Sequence, residues 1–317
     1  MSEDQAPLPE PAELKRIAAS CPDQLRVIAA ALAKGRRLPE LYPLFVEPPR
    51  SADDPEVELR ACVLGELVLA GVSSRGRPEF EAYAERLREL GHPLSWLPGE
   101  RLDLEHRFGV RVRGAGPVKS AGQLRARFPE IPATAGGAAG GAAAGRTAQE
   151  VRDAERARDA AGAFTAGGWA CEPEVRFFAL PERLSDDDFG MAFLQGLPLD
   201  CLAGEMGRGG ALACLTAADD VANELYSASC DGGVGGRPQH GAYARLHAWR
   251  GLYALLGVPA DTPFLDTVRY AADCRWLRFM AFTRWFHHDT ADVGFAVLDP
   301  SRTRVAVLAA TDTDTDD

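Results

Sequence analysis

Lysine is nearly missing from this chain: only Lys15, Lys34 and Lys119 break an otherwise all-arginine set of 35 basic residues. With abundant alanine, glycine and proline, that bias is the codon usage of a GC-rich genome. An arginine here therefore argues less for phosphate or carboxylate recognition than its forked geometry otherwise would. Closely spaced cysteines are also missing. The seven stand at 21, 62, 171, 201, 214, 230 and 274, which excludes a zinc ribbon or a disulfide framework and reads as reduced, mostly buried small apolar residues. No apolar run is long enough for a bilayer: the longest are Val27 to Ala33 and Ala61 to Val72, the second interrupted by Glu66. The first residues are acidic and proline-bearing where a secretory signal has a basic start and an apolar stretch, so a cytoplasmic protein is expected.

Signature motifs are lacking as well. Gly71-Val72-Ser73-Ser74-Arg75 fails as a nucleophile elbow at its last position. Lys119-Ser120 follows a glycine turn, but the two glycines that a phosphate loop requires are replaced by Val118 and Arg113. No His-Glu-x-x-His helix is present.

What is present describes an ordinary folded chain. At 317 residues, 46% apolar and 26% charged, it has the length of one large or two ordinary domains and can bury a real core. Net charge is −11 and unevenly placed. Up to Ile131 there are 19 basic and 20 acidic residues, and beyond it 16 and 26. Such an acidic second half repels nucleic acid and membrane surfaces. One basic stretch, Arg107, Arg111, Arg113, Lys119, Arg125 and Arg127, runs without an intervening acid and reads as a basic patch or as a solvated face.

The periodicity predicts an α+β protein, predominantly α-helical with a small C-terminal antiparallel β-meander. Residues 1–131 read as a helical region, with helices over Pro11 to Ser20, Asp23 to Lys34, Asp54 to Ala70 and Pro78 to Leu90. Residues 132–146 hold an Ala/Gly tract that reads as a flexible linker. Residues 147–317 read as helices over Thr147 to Ala161, Asp186 to Leu194, Ala217 to Ser227, Gly241 to Leu256 and Pro263 to Asp273, with a strand at Val175 to Leu180. The end changes to strand period, with strands at Val293 to Leu298 and Arg304 to Ala309 across a turn at Asp299 to Arg302. Phe279 to Phe286 is the expected third strand.

The best candidate for chemistry is the glycine-rich run Asp231 to Gly241, which leads straight into a helix. Exposed loop amides and a helix N-terminus favour an anion, and Arg237 and His240 add charge there. On the helix, Leu246, Trp249, Tyr253 and Leu256 form a core stripe, while Tyr243, His247 and Arg250 share an adjoining face. The ligand-binding candidates are thus Arg237, His240, Tyr243, His247 and Arg250, against a plain connector followed by a core helix. His287-His288-Asp289 with Asp292 offers metal-type side chains, but adjacent histidines in an extended segment point oppositely, so no metal and no cofactor is expected. The terminal Asp312 to Asp317 run lacks the glycine and closing glutamate of a calcium loop.

The glycine-rich loop into Gly241-Ala242-Tyr243, then Ala248-Trp249-Arg250, with the terminal segment Leu298 to Asp314, resembles an actinobacterial family of unknown function, mainly over the last third of the chain. The resemblance implies a bacterial intracellular protein and no particular activity. Together these readings point to a binding or regulatory module with a small-molecule or protein partner. The alternative is a hydrolase or transferase acting on an anionic small molecule near residues 231–241.

Overall fold

The computed structural model describes Arg16 and residues 23–35, 37–46, 51, 53–110, 139–205, 210–287 and 291–313. The described residues form two compact units. The first comprises those up to Leu102 together with Gln239–Leu246, and the second comprises the rest.

The first unit is helical. Its helix α1, Asp23–Gly35, carries Asp23 in its first turn and Lys34 in its last, both favourable to the helix dipole, and buries Leu25, Ala29 and Leu32 on one stripe. Helix α2, Pro55–Leu69, starts where Asp54 accepts the Glu56 amide at 3.0 Å and Pro55 presets the first turn. It buries eight side chains, from Val57 to Val68, and so forms the centre of the unit. Helix α3, Pro78–Glu89, inserts Phe80, Tyr83 and Leu87. Phe45 meets Phe80 and Tyr83 edge-on at 4.8 and 5.2 Å, the arrangement favoured by the ring quadrupoles. Ala242 and Leu246 join this same core.

The second unit is built on one antiparallel sheet. Its elements are helix α4, Ala139–Thr147; strand β1, Gln149–Glu150; helix α5, Ala154–Gly167; strand β2, Glu174–Ala179; helix α6, Met191–Gln195; strand β3, Ala211–Thr216; helix α7, Ala218–Cys230; helix α8, His240–Leu256, from His247 onward; helix α9, Phe264–Asp273; and strands β4, Arg275–Ala281, β5, Ala291–Leu298, and β6, Arg304–Asp312. The strand order is β1-β2-β6-β5-β4-β3. The expected meander, β4-β5-β6, is present, but it is the middle of a six-stranded sheet.

Burial shows why. Val305 through Asp312 are all buried, so β6 is covered on both faces and needs neighbours on both edges. One face carries Phe178, Leu277, Phe279, Leu298 and Val307 against Phe193 and Leu194 of α6. On the other, the Arg156 guanidinium of α5 stacks 3.8 Å above the Phe177 ring. The β5–β6 turn is held by Asp299, which accepts the amides of Thr303 and Arg304 at 3.0 and 2.9 Å. The core stripe of α8 is as expected, with Leu246, Trp249, Tyr253 and Leu256 all buried.

Several expectations shift. The third strand is Arg275–Ala281, beginning two residues after α9 ends, and residues 282–287 are loop. Helix α5 starts seven residues later than expected because Asp153 caps it, accepting the Arg156 amide at 3.0 Å. That shift carries Ala160, Ala163 and Phe164 inward. The expected helix at Asp186 to Leu194 shortens to Met191–Gln195. Strand β3, with only Leu212 and Cys214 fully buried among its six residues, is an element that the composition did not announce. The expected helix at Pro11 to Ser20 lies outside the described residues except for Arg16, which is helical. Of the Ala/Gly tract, residues 132–138 lie outside the described residues, while Ala139–Thr147 is helical. There a Cβ on Gly145 would stand 2.3 Å from the Phe193 carbonyl, so glycine is what lets α4 lie against α6.

Leu246 is 1% exposed in the first unit's core. Leu246→Ala is expected to lower that unit's stability by about 2–5 kcal/mol, measured as faster amide hydrogen exchange in α1, α2 and α3.

Candidate functional site

The helix start that sequence singled out for an anion already holds one. The first amides of α8 have no intrahelical partners, and the Glu66 carboxylate of α2 takes that position, accepting the Ala242 N–H at 3.1 Å. The approach depends on glycine. A Cβ on Gly241 would lie 2.6 Å from the Glu66 carboxylate, and one on Gly65 would lie 2.7 Å from the Ala242 Cβ. Burial pushes the Glu66 carboxyl above its ordinary range, against the pull of the Ala242 and Gly241 amides and the Lys34 charge. His240 has left-handed backbone, φ +57°, a strained conformation for a residue with a side chain. Burial, and then the nearby Arg26 charge, lower its pKa.

One turn along α8, Tyr243 donates its hydroxyl to Glu58 Oε2 at 3.0 Å, and His92 Nε2 meets the same oxygen at 3.1 Å. His92 Nδ1 accepts the Leu94 N–H at 3.3 Å, so Nε2 carries the proton and donates it to Glu58. Both ring nitrogens are thereby engaged. Cys62 donates to the other Glu58 oxygen at 3.5 Å, and its burial raises the thiol pKa well above normal. Arg26 covers the Tyr243 ring at 4.0 Å and bonds Gln239. Burial alone would raise the Glu58 pKa, but the bonds from His92, Tyr243 and Cys62 outweigh it and hold the carboxyl below its ordinary value. This set reads as a mutually bonded, partly buried network.

The glycine-rich loop shows the same feature in the second unit. Asp312, 2% exposed at the end of β6, accepts the Val234 amide at 2.7 Å and the Ala170 amide at 2.9 Å. The Gly233 and Arg237 amides both go to the Gly167 carbonyl, at 2.9 and 3.2 Å. Arg237 and Arg250 have exposed side chains, and His247 is half-buried, 3.9 Å from where a Cβ on Gly162 would stand. Of the five candidates, Tyr243 is drawn into a bonded cluster, His240 lies at the helix start of the same unit, and Arg237, His247 and Arg250 belong to the second unit.

The second unit also has an open groove of about 840 Å³. One wall is α5, which presents small side chains at Ala157, Ala161, Gly162 and Ala166, with Arg158 at its edge. The other wall is Pro173, Val175 and Arg176 of β2 and the segment before it, with Trp285 and Asp200 also at the lining. Arg176 is bound by Glu150, Glu174 and Asp200 at 3.0, 3.2 and 2.9 Å. Those bonds, led by the one from Glu150, raise its pKa despite some burial. Glu174, 8% exposed, also accepts the Asp200 and Cys201 amides at 2.8 and 2.7 Å, which fixes its carboxylate in place. None of the five sequence candidates lines this groove. The signal that pointed to it was the small-residue face of α5, visible in sequence only as a helix with a thin apolar stripe.

The remaining candidates are placed as follows. Arg107 pairs with Asp220 at 2.5 Å, and the other basic residues of its stretch lie outside the described residues. His287 is exposed, Asp292 accepts the Thr311 hydroxyl at 2.6 Å, and His288 and Asp289 lie outside the described residues. Residues beyond Thr313 lie outside them too.

The chain belongs to the family of unknown function DUF6183, whose family model matches residues 9–314. The match takes in both units rather than the final third alone. Neither the curated proteins nor the solved structures include a match to it.

The Glu58 network carries a pH signature. Its folded pKa is depressed, so its contribution is complete above the unfolded carboxylate value, about 4.3, and is lost as pH falls through the folded value. Glu58→Gln is expected to reduce stability at pH 7 by about 1–3 kcal/mol. The gap between variant and wild type should close as denaturant melts are repeated at successively lower pH below 4.3.

Proposed function

From a family membership that carries no activity, we propose that the chain is a binding module whose ligand lies in the groove between α5 and β2 of the second unit. The observation that carries this reading is the groove's shape and lining: a volume in the range of ligand sites, an apolar floor of small side chains, and polar groups held rigidly at one wall. The charges give the ligand class. Glu150, Glu174 and Asp200 pair with Arg176, and Glu172 and Arg158 also line the groove, so carboxylates outnumber guanidiniums about it. Trp285 offers a half-buried aromatic face, which attracts a cation. A molecule or peptide segment with an apolar body and a positive group fits this lining.

An enzyme acting on an anion near residues 231–241 has less support. The helix start there is capped by Glu66, and the Val234 amide is taken by Asp312. The arginine-rich usage supports a bacterial, actinobacterial and cytoplasmic setting as part of this proposal, and among the described residues no helix is long and apolar enough to cross a membrane. The same acid excess argues against nucleic acid as the partner.

Matched probes test the ligand class. Tryptamine is expected to raise the melting temperature of the full chain, while indole-3-propionate, with the opposite charge on a similar body, leaves it unchanged. At about one hundred times its Kd the amine should add about 2.7 kcal/mol. Ala161→Phe, which fills the floor of the groove, is expected to abolish the shift without lowering the unliganded melting temperature. Equal shifts from both probes would remove the charge argument, and persistence of the shift in Ala161→Phe would remove the groove.

A further inference from the structure

Cys171 follows the turn that ends α5, and its Sγ stands 3.7 Å from Nε2 of His287. Cys171 is half-buried and His287 is exposed, so solvent reaches the pair. The two side chains are brought together by consecutive residues at the end of β6. The Thr311 hydroxyl oxygen accepts the His287 amide at 3.2 Å and is itself oriented by donating to Asp292. Asp312 accepts the amide of Ala170, next to Cys171, at 2.9 Å. One buried strand end thus positions both a thiol and an imidazole, the arrangement in which a base takes the proton of a nucleophile.

The other described cysteines stand differently, Cys214 being buried in β3. Burial raises the thiols of Cys62 and Cys201, each also beside a carboxylate, and pushes Cys274 up to about 12. Cys230 donates to the Tyr226 hydroxyl at 3.6 Å. Glu172, Pro173 and Trp285, close to Cys171 and His287 in sequence, line the groove, and the pair itself stands outside that lining.

We propose that Cys171 is a thiol-exchange site for low-molecular-weight disulfides, with His287 as its base. His287 Nε2 takes the Sγ proton, and the thiolate attacks one sulfur of the disulfide. The new S–S bond forms as the old one breaks, and the departing thiolate collects the proton from the imidazolium. The protein is left with a mixed disulfide on Cys171 and one small thiol is released; the incoming disulfide is the oxidant. The pair does not depend on what the groove binds.

The probe is glutathione disulfide, added to the full chain at pH 7 and followed by mass spectrometry of the peptide containing Cys171. Cys171 is expected to form its adduct about ten times faster than a synthetic peptide spanning the same residues, in line with an activated thiolate. His287→Ala and His287→Gln both keep the backbone bond to Thr311, and both should drop the rate to that of the peptide with the melting temperature unchanged. A wild-type rate at or below the peptide's, or one indifferent to both His287 variants, overturns the proposal.

Discussion

The Glu66 carboxylate at the first amides of α8 is the contact on which the first unit depends. It joins positions 176 apart in the chain. Fixing so distant a segment has an entropic cost, but one that grows only logarithmically with loop length, by about 0.6 kcal/mol per doubling. Burial of Ala242 and Leu246, the Tyr243–Glu58 bond, and the two Arg245 bonds to the Pro98 and Glu100 carbonyls, each 2.9 Å, offset that cost. The first unit's core is therefore completed by a segment that the chain supplies only after residue 238. A fragment ending near residue 131 lacks both the cap partner of Glu66 and the hydroxyl that satisfies Glu58.

Glu66 is one of a set. Asp312 holds the Ala170 and Val234 amides, Glu174 holds those of Asp200 and Cys201, and Asp299 holds those of Thr303 and Arg304. Glu105, fully buried, accepts the Trp249 indole N–H. A buried carboxylate left unpaired is strongly destabilising, whereas one that accepts two fixed backbone N–H groups is both satisfied and positioned. Part of the acidic excess is thus structural: several carboxylates are internal caps and turn clamps. This reverses the reading of the glycine-rich loop. The loop and helix start are suited to an anion, as their composition indicates, and the chain provides anions of its own.

That reversal shows what the sequence made legible. Local features were readable because local physics sets them: Asp54-Pro55 opens α2, Asp299 makes the last turn, and the Leu246, Trp249, Tyr253 and Leu256 stripe is core. Non-local pairings were not. Strand β3 buries two of its six residues fully, and its place in the sheet comes from pairing with β4. The groove draws on α5, β2, Asp200 and Trp285, four separated stretches whose individual composition is unremarked alanine, ion pairs and one tryptophan. Nor does any sequence pattern place Thr311 and Asp312 so that they align Cys171 with His287, 116 positions away.

Small side chains serve two ends in the second unit, and the difference lies in what stands opposite. On α4, Gly145 lies against the Phe193 carbonyl and the Gly196 backbone, so the reduced bulk becomes close contact. On α5 the buried side repeats this, with a Gly167 Cβ position only 2.2 Å from the Ala228 carbonyl. Its outward side does not. There Ala157, Ala161 and Ala166 face the wall made by Pro173 and Val175 across open space. Alanine abundance across the chain accounts for small residues on a helix, but it does not raise a second wall or fix Glu174 by two backbone amides and a guanidinium. A merely solvated helix face needs neither, and an interior surface would have been filled. An apolar trough with one rigid charged edge is the feature on which the proposed binding role rests.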